Sequence, residues 1–276
     1  MEFLQAAVLG VIQGLTEFLP ISSSAHLAIF AKFFGWEDPG AAFTAVSQIG
    51  TELAVVLYFW RDIMAIAGGW LAGLRSKAAR STHEWFMGWF IIVGSLPVVV
   101  LGLLLEDWID SEFRNLWVIA TMLIVLGLVL GYAEKIGRKA RPIEKLTWKH
   151  AVILGFAQAG ALVPGVSRSG ATISAALYLG YERAAATRYA FLLAVPAVLG
   201  AGIYKLKDIP GSEGYGVGPT AVGTAISFVV GLAVIHWLLK FVSTNSYKPF
   251  VIYRVVLGVL VLGLLAFGVI TATVPA

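Results

Sequence analysis

Residues 9–26 read LGVIQGLTEFLPISSSAH, and residues 154–171 read LGFAQAGALVPGVSRSGA. Both stretches begin with Leu-Gly, carry a glutamine three residues after that glycine, and reach a proline followed by a serine cluster. Each interrupts a longer apolar region with Pro, Ser and Gly, which favour turns over helix interiors. We therefore predict two short helices around a break in each region, over residues 3–34 and residues 150–180.

The composition around these breaks is that of an integral membrane protein. The 276 residues are 59% hydrophobic and 13% charged, whereas soluble domains have about 45–50% apolar and about 25% charged residues. Because the apolar residues are spread over the whole chain, we predict one membrane domain, residues 1–276. A helical span needs about 20 apolar residues, and six stretches meet that requirement: residues 42–60, 86–105, 115–134, 184–204, 219–242 and 249–270.

The helices on either side of each break are too short to cross a bilayer. We expect each pair to form a re-entrant hairpin, since non-helical backbone at membrane depth must be buried in protein or line a cavity. With six crossings and two hairpins, most of the 20 Lys and Arg residues fall on one side. The positive-inside rule then predicts cytoplasmic basic loops and both termini outside. Those loops are residues 61–84, 135–149, 181–188 and 240–248.

The two similar stretches also divide the chain into repeats. The first repeat covers about residues 1–134 and the second about residues 150–276, joined by a basic linker, residues 135–149. Each contains one hairpin and three spans, and an odd number of crossings inverts the second copy. The predicted fold is therefore all-α, with an inverted repeat of two units and six spans. Such repeats with broken helices are typical of transporters, so a transporter remains an alternative.

The composition also excludes several kinds of chemistry. The chain has no cysteine, so it has neither disulfides nor a cysteine nucleophile. Its four histidines lack zinc-ligand spacing. The net charge of +4 is explained by cytoplasmic loops, and we expect no nucleic-acid partner. The first residues lack the basic region and cleavage site of a signal peptide, so we expect a mature N-terminus.

The breaks contain the residues whose side chains could take part in a reaction. A charge such as that of Arg168 costs roughly 2.5–3.5 kcal/mol at membrane depth, so it requires a partner there. The planar guanidinium suits phosphate, and residues 169–172 open a helix whose free N–H groups favour anions. A hydroxyl beside a base is an activated nucleophile. If the two tips meet, the sequence predicts phosphoryl chemistry on a membrane-soluble phosphate ester or diphosphate.

The motifs QGLTEFLPISSSAH and VPGVSRSGATIS resemble those of the undecaprenyl-diphosphate phosphatases, the bacitracin-resistance phosphatases of bacteria. The resemblance extends to residues 48–61, 191–197 and 249–254. It implies removal of the terminal phosphate from undecaprenyl diphosphate, which recycles the lipid carrier for cell-wall synthesis in the bacterial inner membrane. It also implies a divalent cation, Mg or Ca, and is compatible with a homodimer.

The resemblance implies a role for each matching residue. The catalytic residues would be Glu17, Ser23, His26 and Arg168. The residues binding the substrate phosphate would be Ser22, Ser167, Ser169 and Thr172. The metal ligands would be Glu17 and Gln13, although some members carry Glu at the position of Gln13. A second departure is Glu52, where many members have an apolar residue; it could supply the carboxylate that position 13 lacks.

In the predicted mechanism Ser23, activated by His26, attacks the terminal phosphorus. A variant in which His26 is the nucleophile stays open, and Glu17 would orient either the metal or the histidine. The alternative function is a polyprenyl-phosphate flippase or another inverted-repeat transporter, which would need Arg168 but no activated nucleophile. A membrane scaffold ranks last because it gives the buried charges no purpose.

Other residues have simpler interpretations. Arg168 could be only a structural partner of Glu17, and Gln13 and Gln158, at matching repeat positions, could simply form hydrogen bonds between the hairpins. Tyr253 lies near a predicted span end, as interfacial aromatic residues do. We expect its neighbour Arg254 to snorkel or to pair with a loop.

Overall fold

The computed structural model describes residues 2–36, 40–105, 115–211 and 215–272, and in these ranges the chain is built from α-helices. Short 3₁₀ turns and one isolated bridge, Arg141 to Tyr181, connect them. The helices are α1 (Glu2–Thr16), α2 (Ser23–Phe33), α3 (Gly40–Tyr58), α4 (Trp60–Arg75), α5 (His83–Leu104), α6 (Leu116–Ile136), α7 (Trp148–Ala159), α8 (Arg168–Tyr178), α9 (Arg183–Lys205), α10 (Val217–Thr244) and α11 (Lys248–Ala266).

The described helices are those of an integral membrane protein. Five of them are long and apolar enough to cross a bilayer, namely α5, α6, α9, α10 and α11. A sixth span arises if α3 and α4 are taken together, although the chain bends by 78° between them. The five helices coincide with five of the six stretches predicted from hydropathy, and the remaining stretch, residues 42–60, coincides with α3.

The prediction of a loop over residues 61–84 is wrong for its first part, because α4 continues the chain as a helix to Arg75. This helix packs against α5 at small residues. A Cβ atom added at Gly73 would lie 2.1 Å from the ring of Trp85, so only glycine fits there. The basic residues of this segment predicted a loop. The close contact with α5 stabilises α4 as a helix, and the charge pattern does not show such a contact.

The two predicted breaks lie where the sequence places them, between α1 and α2 and between α7 and α8. The residue before the second helix of each pair has a positive φ, 75° at Ser22 and 70° at Ser167. This conformation is uncommon outside glycine. Each serine hydroxyl accepts a hydrogen bond from the backbone N–H three residues later, at Ala25 and Gly170. The two copies therefore form the same N-cap at equivalent positions.

The helices before the breaks pack in matching ways. The helix α1 crosses α10 where Gly10 meets Gly223, and α7 crosses α5 where Gly155 meets Gly94. A Cβ atom added at Gly10 or Gly155 would lie 2.4 Å from the facing glycine carbonyl oxygen. Small residues allow such close backbone approach. Each half of the chain thus packs its first helix against a long helix of the other half.

Candidate functional site

The structure brings the two breaks together around Glu17. The guanidinium of Arg168, at the start of α8, donates from Nη2 to Glu17 Oε1 in an ion pair. The other carboxylate oxygen of Glu17 accepts hydrogen bonds from Ser23 Oγ and from Gln13 Nε2, each at 2.6 Å. Glu17 is only 7% exposed. A hydroxyl, a carboxylate and an arginine from both breaks therefore meet at one buried point.

A second carboxylate reaches the same arginine from α3. Glu52 Oε1 accepts from Arg168 Nη2 at 3.2 Å, and the residue is 1% exposed. Its other oxygen has no hydrogen-bond partner among the residues that the structure describes. Glu17 and Glu52 are thus neighbours around one guanidinium nitrogen.

The position of His26 differs from the prediction. Its Nδ1 bonds to the carbonyl oxygen of Ser22 at 2.7 Å, and its Nε2 bonds to the hydroxyl of Tyr253 at 2.7 Å. A carbonyl only accepts, so Nδ1 carries the proton, and in the neutral ring Nε2 accepts from the tyrosine. The hydroxyl of Ser23 donates to Glu17 instead. The structure therefore pairs Ser23 with Glu17, whereas the predicted partner of Ser23 was His26.

Arg254 does not snorkel, because it is 0% exposed. Its guanidinium donates to five backbone carbonyl oxygens within 3.2 Å. Three of these acceptors lie in the two breaks and two lie on α6: Pro20, Gly165 and Val166, then Met122 and Leu123. Arg254 therefore ties both breaks to α6. In the sequence, the one feature that pointed to a role for Arg254 was its position in the motif PFVIYR, beside Tyr253.

The remaining predicted residues divide into two groups. Ser22 and Ser167 cap their helices and line a cavity at the site. Ser169 and Thr172 are buried and, in the described part of the chain, are not among the residues lining that cavity. Ser169 donates to the carbonyl of Leu19, 3.2 Å away, so it joins the two breaks.

The two glutamines at equivalent repeat positions are not bonded to each other. Gln13 donates to Glu17, and neither side-chain polar atom of Gln158 has a partner among the described residues. Both glutamines are fully buried, and Gln158 lines the cavity. The expected bond between the hairpins through these side chains is therefore wrong.

The cavity has a volume of about 540 Å³ and a lining that is partly polar and mostly apolar. The polar and charged lining residues include Glu17, Ser23 and Arg168. Many of the apolar lining residues come from α5 and α9, and Tyr204 and Lys205 line the cavity at the end of α9. The wall residues of α5 and α9 include Val98, Val99, Gly102, Leu103, Ala197, Gly200 and Ala201. The cavity is therefore suited to an amphiphile with an anionic head and an apolar chain.

The donor atoms around Glu17 fit a divalent cation that is shared with a phosphate. In the described ranges no three His, Cys, Asp or Glu residues cluster as a complete metal site. Magnesium, however, is usually held by one or two carboxylates together with substrate phosphates. Glu17 lines the cavity, and the side-chain oxygen of Gln13 is buried without a partner in the described chain.

The fold and the site together define an integral membrane protein in which a buried cluster of one arginine and two carboxyl groups lies beside a mostly apolar cavity. The chain belongs to the family of the bacitracin resistance protein BacA, whose model matches residues 6–260.

Similar proteins carry the name undecaprenyl-diphosphatase. The protein of that name from Micrococcus luteus is 59% identical over 277 residues, covering 99% of this chain and 100% of the relative. The one from Nocardioides sp. is 60% identical over 273 residues, with 99% and 100% covered. The one from Thermobifida fusca is 54% identical over 271 residues, with 98% and 93% covered.

Proposed function

We propose that this protein hydrolyses undecaprenyl diphosphate to undecaprenyl phosphate and inorganic phosphate. This reaction recycles the lipid carrier for cell-wall synthesis in the bacterial plasma membrane and gives resistance to bacitracin. The names of the relatives support this substrate. The observation that carries the proposal is the contact of Ser23, Glu17 and Arg168 in the lining of a cavity that is mostly apolar.

The geometry supports Ser23 as the nucleophile and Glu17 as its base. Arg168 binds the terminal phosphate and stabilises the charge that develops on it. Ser23 Oγ forms a bond to the terminal phosphorus while its proton passes to Glu17, and the bond to the bridging oxygen breaks. Undecaprenyl phosphate leaves with the electrons of that bond.

Water completes the cycle. It attacks the phosphorus of the phosphoserine, and the serine oxygen leaves and regains the proton held by Glu17. The phosphate departs with the oxygen and one hydrogen from water, and the second proton passes to solvent. His26 holds the break through the carbonyl of Ser22 in this scheme; in the variant with His26 as nucleophile, the covalent phosphate would form on its ring.

A divalent cation, Mg or Ca, is part of the proposal. Glu17, with the free oxygen of Gln13 nearby, would hold it. When bound, it would neutralise charge on the diphosphate.

The finer architecture is also proposed. The pairs α1–α2 and α7–α8 are re-entrant hairpins, and the two halves, about residues 1–134 and 150–276, form an inverted repeat with both termini outside. The matching N-caps and glycine crossings support equivalence of the two halves. The cavity opens outward, because Thr44, Leu103 and Lys205 lie near the ends of helices whose loops are predicted outside.

The experiment that tests this function measures phosphate release from undecaprenyl diphosphate by the detergent-purified protein, with and without EDTA. We expect turnover that requires both a divalent cation and Arg168, with Arg168→Ala at least about 100-fold slower. Absence of phosphate release by the wild-type protein would overturn the hydrolase and direct the work to a lipid-flipping assay. Retention of the label from ³²P-substrate in Ser23→Ala, with its loss in His26→Ala, would overturn the serine mechanism.

A further inference from the structure

We propose that Glu52 is a positioning residue that acts as the permanent counter-ion of Arg168, whereas Glu17 gives up its place on the guanidinium to the substrate phosphate. The inference rests on the proposed function, because it assigns the order of events at the same site. It gives each of the two carboxylates around Arg168 a separate task.

The first support is the position of the two carboxylates relative to the cavity. Glu17 and Arg168 line it, as does Gln48, which precedes Glu52 by one turn on α3. Glu52 itself does not belong to the described lining, although it bonds to Arg168 at 3.2 Å. A phosphate that enters through the cavity therefore meets Glu17 and Arg168, while Glu52 contacts the same guanidinium nitrogen from behind the lining residues.

The second support is the difference in their other partners. Glu17 also accepts hydrogen bonds from Ser23 and Gln13, so two donors remain when Arg168 moves to a phosphate. Among the described residues Arg168 is the partner of Glu52, whose second oxygen has none. Separating Glu52 from Arg168 would leave this 1% exposed carboxyl group without its partner in the described chain, which is unfavourable for a buried polar group.

The third support is the geometry of arginine. A guanidinium carries five N–H donors in a planar fork, enough to bind one carboxylate and a phosphate at the same time. When Arg168 turns to the phosphate, Glu17 keeps its hydrogen bonds from Ser23 and Gln13, so the serine hydroxyl stays in place.

The test is the variant Glu52→Gln, which keeps the shape of the side chain and removes its charge. In this variant Arg168 loses the charged contact that holds it from within the protein and keeps the ion pair with Glu17, so the guanidinium is no longer fixed where the phosphate arrives. We expect the KM for undecaprenyl diphosphate and the inhibition constant of inorganic phosphate to rise about 10-fold, with kcat changed less than about 3-fold, the size of one charge-assisted hydrogen bond. The matched control is Glu134→Gln, which removes a carboxylate paired with Arg183 and should leave both constants unchanged.

A second pair of variants separates positioning from other roles. Glu52→Asp keeps the charge with a shorter reach, and we expect a smaller rise in both constants. Gln13→Glu in the Glu52→Gln background restores the number of carboxylates, but the side chain at position 13 contacts Glu17 and not Arg168 in the described site. We therefore expect no rescue.

The outcomes are distinguishable. Wild-type protein that releases no phosphate would remove the proposed function itself. Active wild-type protein with unchanged constants in Glu52→Gln would overturn the role of Glu52 alone. Rescue by Gln13→Glu would also overturn it, because Glu52 would then act as an interchangeable negative charge. If Glu52→Gln does not fold, unchanged constants in Glu52→Asp would contradict the proposal.

Discussion

Replacement of Arg254 by methionine should damage both the stability and the activity of the protein. The guanidinium donates to the carbonyl oxygens of Pro20, Gly165 and Val166, which belong to the breaks and have no helical partner to replace it. A buried carbonyl that loses its donor costs about 1–3 kcal/mol. Three of them amount to roughly 3–9 kcal/mol, and entry of water would favour the lower half of that range.

The activity should fall for a separate reason. Arg254 holds the breaks that carry Glu17 and Arg168, and a displacement of reacting groups by about 1 Å costs about 100-fold in rate. We expect Arg254→Met to lower kcat at least about 100-fold and to lower Tm by about 10 °C. The assays are phosphate release and thermal unfolding in the same detergent.

Two further variants make the result interpretable. Arg254→Lys keeps a charge and three donors, so we expect an intermediate loss of both kcat and Tm. Arg188→Met removes an arginine from a partly exposed pair with Asp62, and such pairs contribute about 0–1 kcal/mol. Full activity and an unchanged Tm in Arg254→Met would refute the reasoning, since the five hydrogen bonds would then contribute nothing.

Three other predictions concern separate features. A Cβ atom at Gly10 would lie 2.4 Å from the carbonyl oxygen of Gly223, so Gly10→Val should destabilise the fold by about 1–3 kcal/mol; an unchanged Tm would contradict that close crossing. Gly200 lines the cavity with nothing within 4 Å of an added Cβ atom, so Gly200→Leu should fold normally and raise the KM for undecaprenyl diphosphate more than for a short-chain prenyl diphosphate. Equal effects on both substrates would show that the chain does not occupy that wall. Tyr253→Phe removes the hydroxyl bonded to His26 Nε2 and should lower kcat about 10-fold, whereas a wild-type kcat would show that this bond does not position the break.

The sequence alone determined the class of the protein and the location of its breaks. Hydropathy is a property of each segment by itself, because every span must bury its own backbone in helical hydrogen bonds. The breaks were visible for a similar reason: Pro, Gly and Ser act locally, and the second copy at residues 154–171 repeats the pattern of the first. Arg168 could be recognised because a charge among apolar residues requires a partner.

Only the tertiary structure decided which partners those residues have. Spacing along α2 permits Ser23 to approach His26, yet His26 turns to Ser22 and to Tyr253, which lies 227 positions away. Glu17 takes the serine hydroxyl, and Glu52 reaches Arg168 from α3. Arg254, near the end of the chain, joins both breaks through carbonyl groups that every residue possesses. Contacts of this kind depend on how distant helices pack, and because every residue has a backbone carbonyl, the sequence does not show which of them accepts a hydrogen bond. For that reason the residues of the site could be named from the sequence, but their pairing could not.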